Sequence, residues 1–127
     1  MQALILIFIG GGIGSIFRYF LSKFINNLNL SDFPLGILGV NILACFLSGL
    51  LIGLFNAQRQ GDYHYIRLFL IVGFCGGFST FSGYSDQIIR IFFRENNYAY
   101  ALTDILLSNV LCLAATFIGL MITVKEI

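Results

Sequence analysis

Hydroxyl and aromatic side chains alternate over residues 79–85, whose sequence is STFSGYS. Phe81 and Tyr84 are three residues apart, so in a helix their rings lie along one face. Aromatic rings carry a positive edge, and hydroxyl groups are neutral hydrogen-bond donors. Together they can replace part of the water around a small, strongly hydrated anion, and they offer little to a cation. The alternative is that the two rings belong to an ordinary aromatic core.

Glycine and hydroxyl residues are concentrated just before and within this stretch, where residues 73–80 read GFCGGFST. Residues of these types weaken a helix. Free backbone groups are tolerated inside a membrane only where protein or a water-filled cavity satisfies them. The composition therefore predicts a break in the third hydrophobic segment, with a functional use. The alternative is that the small residues allow close helix packing.

Two further polar residues interrupt the hydrophobic segments. Asn41 lies about two turns into the second segment, where its amide can join two helices or donate a hydrogen bond to a passing anion. Arg18 lies late in the first segment. It can form a vestibule that attracts anions, or its long side chain can simply reach the interfacial water.

A polar stripe runs along the fourth segment, with one residue at every fourth position: Asp104, Ser108, Cys112 and Thr116. The hydroxyls alone are weak evidence of function, because such groups often bond their own helix backbone. A carboxylate within a membrane span is costly and is usually paired. Asp104 is predicted to lie at the same side of the membrane as Arg18, so we expect an ion pair between them.

The elements that position these residues follow from composition. The chain has 127 residues, is 58% hydrophobic and 10% charged, and has a mean hydropathy of +0.91, whereas soluble domains carry about 25% charged residues. Apolar runs of about 20 residues are long enough to cross the bilayer. We predict an all-α, multi-pass membrane protein, with residues 1–127 forming one four-helix domain. The predicted spans are about 3–24, 35–55, 66–93 and 99–124.

The cations do not favour either orientation in the membrane. Four spans place both termini on one side, which carries Arg59, Arg67 and Lys125. The opposite side carries Arg18, Lys23, Arg90 and Arg94. Orientation normally follows an excess of Lys and Arg on the cytoplasmic side, so the near tie predicts insertion in both orientations and an antiparallel homodimer.

Two pairs of glycines have the GxxxG spacing that allows helices to approach closely: Gly10 with Gly14, and Gly49 with Gly53. They serve either the dimer contact or packing within one subunit, and the sequence favours neither.

Several classes of function are poorly supported. His64 is the only histidine, and it falls in a predicted loop, so no Ser-His-Asp arrangement can form. The three cysteines lie in apolar runs without CxxC spacing, which disfavours a metal site or a disulfide framework. The net charge of +1 gives no electrostatic surface for nucleic acid.

The motifs together resemble those of one family. Residues 73–82, GFCGGFSTFS, resemble the signature GFxGGxTTFS of the Fluc/CrcB fluoride channels. The GxxxRY of residues 14–19 resembles the first-helix motif of that family, and Gly36 with Asn41 resembles the second-helix motif. The order, the spacing and the four-helix length agree over essentially the whole chain.

The resemblance implies an antiparallel dimer in the bacterial inner (plasma) membrane, with two pores along the subunit interface. Such a dimer exports fluoride passively from the cytoplasm and relieves its toxicity. It implies a structural sodium ion on the dimer axis, held by backbone carbonyls of Gly76 and Ser79. Arg18 would lie in the vestibule. The residues expected along the fluoride path are Phe81, Tyr84, Asn41, Ser82, Thr80, Ser108 and Cys112.

The chain departs from the family pattern at four positions. Ile37 replaces a usual threonine, Gly83 replaces another, Tyr84 replaces a phenylalanine, and Asp104 stands where an aromatic residue is common. Three alternatives stay open. The chain could be one subunit of a heterodimeric fluoride channel, a non-conducting structural subunit, or a small dual-topology multidrug antiporter.

Overall fold

The computed structural model describes residues 1–28, 35–57 and 63–124, and within these it is helical apart from short turns. The helices are α1 (Gln2–Asn27), α2 (Leu35–Ala57), α3 (64–78), α4 (Phe81–Arg94) and α5 (Tyr98–Val124). Within these described ranges, four helical segments are long and apolar enough to cross a membrane, and α3 with α4 forms the third of them. The all-α fold with four spans is therefore confirmed. Arg59 and Lys125, which entered the cation count, lie outside the described residues.

Glycines bring α1 and α3 into backbone contact. Gly10 lies against the Phe69 carbonyl, and Gly14 lies against the Phe74 carbonyl one turn further along both helices. The contacts advance in the same direction on both helices, so α1 and α3 run parallel. The hydroxyl of Ser15 continues this contact by donating to the Gly77 carbonyl at 3.4 Å.

The second pair of parallel helices is α2 with α5. Gly49 lies against the Thr116 carbonyl, and Gly53 lies against the Thr123 side chain. Both GxxxG pairs therefore pack helices within one subunit, which decides between the two uses that the sequence left open. Between the two helix pairs lies a small core of Val40, Ala44 and Phe78.

The third span is interrupted, as predicted. Its first part begins as an α-helix (His64–Arg67), widens into a π-helix (Leu68–Cys75) and ends with one short α-turn (Gly76–Phe78). Ser79 and Thr80 are extended, with φ/ψ of −77°/154° and −142°/111°. Helix α4 then begins at Phe81. A π-helical turn is often found at functional sites, and here it directly precedes the break.

Large apolar side chains cover the outer faces of the long helices, including Phe8, Phe20, Leu106 and Phe117. Backbone polar groups along these faces are satisfied within the helices, which is the condition for crossing a bilayer. The chain is a multi-pass membrane protein, which in bacteria places it in the plasma membrane.

The close approach of α1 and α3 makes a specific prediction. A methyl group added in Gly14→Ala would meet the Phe74 carbonyl and the Phe78 nitrogen, so the helices must separate at a cost of about 1–3 kcal/mol. Gly12→Ala is the matched control, because nothing lies within 4 Å of its added methyl group. Thermal unfolding in detergent, followed by circular dichroism, should show a lower midpoint for Gly14→Ala only. Equal midpoints for the two variants would contradict this packing.

Candidate functional site

Asn41 holds the break in the third span. Its Oδ1 accepts a hydrogen bond from the Thr80 backbone N–H at 2.9 Å, and its Nδ2 donates to the Thr80 carbonyl at 3.3 Å. One amide thus satisfies both backbone groups of an extended residue inside the membrane, where an unsatisfied group would cost several kcal/mol. The second N–H of the amide has no acceptor among the described residues, so it is available to a ligand.

The break also frees two backbone carbonyls. In a continuous helix, the Thr80 N–H would bond the Gly76 carbonyl and the Gly83 N–H would bond the Ser79 carbonyl. Instead, the Thr80 N–H goes to Asn41, and the Gly83 N–H donates to Thr80 Oγ1 at 3.0 Å. No described backbone N–H donates to either carbonyl. Both oxygens are therefore available to water or to a hard cation, which prefers oxygen ligands.

Thr80 sets the direction of the two aromatic rings. Its hydroxyl caps the N-terminus of α4 through the bond from Gly83, which is the usual role of a threonine at this position. The rings of Phe81 and Tyr84 lie along one face of α4, with centroids 5.6 Å apart and planes at 52°. Tyr84 is 8% exposed, whereas Phe81 is 79% exposed and points away from the subunit.

A cavity of about 200 Å³ lies beside these rings. Six of the seven residues expected along the fluoride path line it: Asn41, Thr80, Phe81, Tyr84, Ser108 and Cys112. Ser82 does not line the cavity, and its hydroxyl lies 3.2 Å from Thr80 Oγ1. Three further residues complete the lining: Cys45, Ser79 and Asn109.

Hydrogen bonds orient the polar groups on the α5 side of the cavity. Asn109 Nδ2 donates to the Tyr84 hydroxyl oxygen at 3.3 Å, which leaves the tyrosine proton available as a donor. The Ser108 hydroxyl donates to Asp104 Oδ1 at 3.0 Å, so its own proton is already used. The cavity wall thus consists of neutral groups and ring edges.

A larger cavity of about 550 Å³ opens beside Arg18 and Lys23. Thr80 lines this cavity as well as the smaller one. The cavity beside Arg18 and the cavity beside the Phe81 and Tyr84 rings therefore share Thr80, the residue at which the third span is broken.

The chain is similar to known proteins over nearly its whole length. The family model described as CrcB-like protein, Camphor Resistance (CrcB), matches residues 5–120. The chain belongs to the CrcB family. A protein of Azobacteroides pseudotrichonymphae named fluoride-specific ion channel FluC is 37% identical over 97% of both chains. A protein of the same name from Flavobacterium psychrophilum is 38% identical over 100% of both chains. Another, from Serratia proteamaculans, is 36% identical over 98% of this chain and 95% of its own length.

The expected ion pair between Arg18 and Asp104 is wrong within this CrcB subunit. Asp104 is fully buried, and its carboxylate accepts hydrogen bonds from Gln87 at 2.6 Å and from Ser108. Among the described residues, the one ion pair joins Asp86 to Arg90 at 2.6 Å on the surface. Asp104 takes its two hydrogen bonds from α4 and from its own helix, and it does not line the cavity that Arg18 lines.

Sequence reasoning missed two residues that line the cavity, Cys45 and Asn109, and it also missed Gln87, the partner of Asp104. Gln87 is buried on α4 and links that helix to α5 through Asp104. A usable signal is its spacing, because Tyr84, Gln87 and Ile91 recur every three to four residues and form the buried face of α4. An amide on that face needs a partner, and Asp104 provides it.

Asn41→Leu should destabilise this CrcB chain, because it leaves the Thr80 N–H and carbonyl without partners. The expected loss is about 1–3 kcal/mol for each of the two groups, measured by thermal unfolding in detergent. Ser85→Ala is the control, since its exposed hydroxyl bonds only its own helix at Phe81. If Asn41→Leu unfolds at the same temperature as Ser85→Ala, the amide does not hold the break.

Proposed function

We propose that this chain is the subunit of a passive, fluoride-selective channel that exports fluoride from the cytoplasm and relieves its toxicity. The observation that carries the proposal is the convergence of ring edges and neutral donors in one cavity at the break of a membrane span. The names of the relatives, fluoride-specific ion channel FluC, support it. The chain is accordingly a channel and not an enzyme.

The chemistry of the cavity suits a small, strongly hydrated anion. The spare N–H of Asn41 and the hydroxyl of Tyr84 can each donate to the ion, and the exposed edge of Phe81 adds a positive electrostatic surface. Arg18 and Lys23 raise the concentration of anions at the mouth of the path. The cavity wall offers no charged ligand to a passing alkali cation, so the proposed path would favour anions.

Asp104 is compatible with this function despite its negative charge. Its side chain does not line the cavity, and both of its oxygens are occupied by hydrogen-bond donors. The same arrangement weakens the antiporter alternative, since proton exchange requires an acid that its substrate can reach.

The path needs a second copy of the chain. Phe81 is 79% exposed, so the wall opposite its ring is missing from a single subunit. The near tie of cations favours insertion in both orientations, and an inverted copy would supply the wall. We therefore propose an antiparallel homodimer of four-helix domains, with the fluoride path along the contact between them.

The same dimer would place a structural sodium ion at the break. The free carbonyls of Gly76 and Ser79 fit this role, because they are neutral oxygen ligands released from helical hydrogen bonding. Two carbonyls from each subunit would hold the ion, which would stabilise the contact. An unfolding temperature that does not change when sodium is replaced by choline would contradict this assignment.

Fluoride flux provides the direct test. Liposomes containing only this chain should release fluoride and retain chloride, and Phe81→Leu should lower the release to near that of protein-free liposomes by removing the ring edge. Phe93→Leu is the matched control, because Phe93 is also an exposed phenylalanine of α4 but lies outside the cavity. Absence of fluoride release from the unsubstituted chain would contradict the homodimeric channel and favour a heterodimer.

Dual topology predicts equal labelling from both sides of the membrane. In a variant whose native cysteines are replaced by serine, Gln2→Cys should react with an impermeant maleimide in about half of the chains of sealed vesicles. The remainder should react after permeabilisation. Asn97→Cys, at the opposite end of the bundle, should give the same fraction. Full labelling at one position and none at the other would exclude antiparallel assembly.

A further inference from the structure

Two of the three cysteines face each other in the proposed fluoride cavity. Cys45 on α2 and Cys112 on α5 both line it, and both are half-buried. The helix register explains the meeting. Gly49 of α2 packs on Thr116 of α5. The two helices are parallel, and Cys45 and Cys112 each lie four residues, or about one turn, before these contact residues. The two thiols are therefore neighbours between α2 and α5, on the same wall of the cavity.

We propose that Cys45 and Cys112 form a binding site for a divalent, thiophilic, two-coordinate cation such as Hg²⁺. Binding forms two sulfur–metal bonds and breaks two S–H bonds, so two protons are released and no electron is transferred. Thiolate sulfur is a soft ligand that selects soft metal ions. The two thiolates cancel the charge of the divalent ion, and a neutral complex is the one that a low-dielectric site accepts at least cost.

The same reasoning excludes other ions from this pair. A monovalent ion such as Ag⁺ forms a neutral complex only if it displaces one of the two protons, and the second sulfur then stays a thiol, which is a much weaker metal ligand than a thiolate. Zn²⁺ normally requires four ligands. Among the described residues, no group of three or more His, Cys, Asp or Glu side chains could hold a metal ion. Selection therefore depends on coordination by two sulfurs alone.

Occupancy of this site should block the fluoride path, and this consequence rests on the proposed channel function. A heavy ion between Cys45 and Cys112 would lie in the same cavity of about 200 Å³ as Asn41 and Tyr84. The anion and the metal would therefore compete for one space. Metal binding itself does not depend on conduction, so the two proposals can fail separately.

Binding can be measured on the purified protein. Titration with Hg²⁺ should saturate the thiolate-to-metal absorbance at one ion per chain, in the presence of 2-mercaptoethanol as a competing monothiol. Losing a residue that only hydrogen-bonds to a metal ligand typically lowers metal affinity by about 10–100-fold. Losing a ligand itself, in Cys45→Ser or Cys112→Ser, should therefore weaken retention of mercury by at least about tenfold. Cys75→Ser is the matched control, because the Cys75 thiol is buried and does not line the cavity.

Two results would overturn the site. One is unchanged retention of mercury in Cys45→Ser or in Cys112→Ser, which would mean that the two thiols do not act together. The other is loss of retention in Cys75→Ser, which would mean that the third cysteine supplies the ligand. Zn²⁺ added at the same concentration should not displace the bound mercury.

The flux assay then tests the block. The rate of fluoride release by each variant is compared with its own rate before metal is added. Hg²⁺ should stop release by the unsubstituted chain and by Cys75→Ser. Excess dithiothreitol should restore release. Release by Cys45→Ser and Cys112→Ser should be much less sensitive to Hg²⁺. Tight binding without inhibition would overturn the block while leaving the metal site intact. Absence of release before metal is added would instead count against the proposed function.

Discussion

Thr80 has extended backbone in the middle of a membrane-spanning segment, and the amide of Asn41 satisfies both of its backbone groups. The rest of the site depends on this contact. It ends one helix and lets the Thr80 hydroxyl begin the next, which sets the direction of the Phe81 and Tyr84 rings. It also withdraws the Thr80 N–H from Gly76, so that a carbonyl becomes available at the break.

The glycine contacts give this arrangement its rigidity. Gly10 and Gly14 bring α1 against α3 just before the break, and Gly49 brings α2 against α5 below the cavity. Membrane helices gain little from apolar burial, because lipid is as apolar as the protein, and close packing supplies the attraction instead. The small residues thus fix α1 beside α3 and α2 beside α5, and the hydrogen bonds from Asn41 to Thr80 join α2 to the break.

The polar groups of the site are arranged so that charge stays out of the narrow part. Asp104 is turned into the interface between α4 and α5, where Gln87 and Ser108 occupy its oxygens. Arg18 and Lys23 line the larger cavity instead. A weakly bound anion moves more readily past neutral donors than past a fixed cation, since conduction requires that an ion can leave as well as enter.

Much of the fold and part of the site could be predicted from sequence. The long apolar runs define the four spans, and the glycines and hydroxyls of residues 73–80 predict the interruption of the third. The pairing of Asp104 was predicted wrongly. Sequence reasoning placed Arg18 and Asp104 at the same side of the membrane and expected the two opposite charges to form an ion pair. The partner of Asp104 is instead the neutral amide of Gln87, because the buried face of α4, which carries Gln87, packs toward α5.

The sequence by itself determined that this chain crosses a membrane four times and that its third span is broken, because hydropathy and helix propensity are local properties of the chain. Only the tertiary structure decided which helices the glycine pairs join, which residue holds the break and which groups share the cavity. Those outcomes depend on the relative position of helices that are far apart in sequence. Asn41 and Thr80 are separated by 39 residues, and their contact exists only after α2 has packed beside the interrupted span.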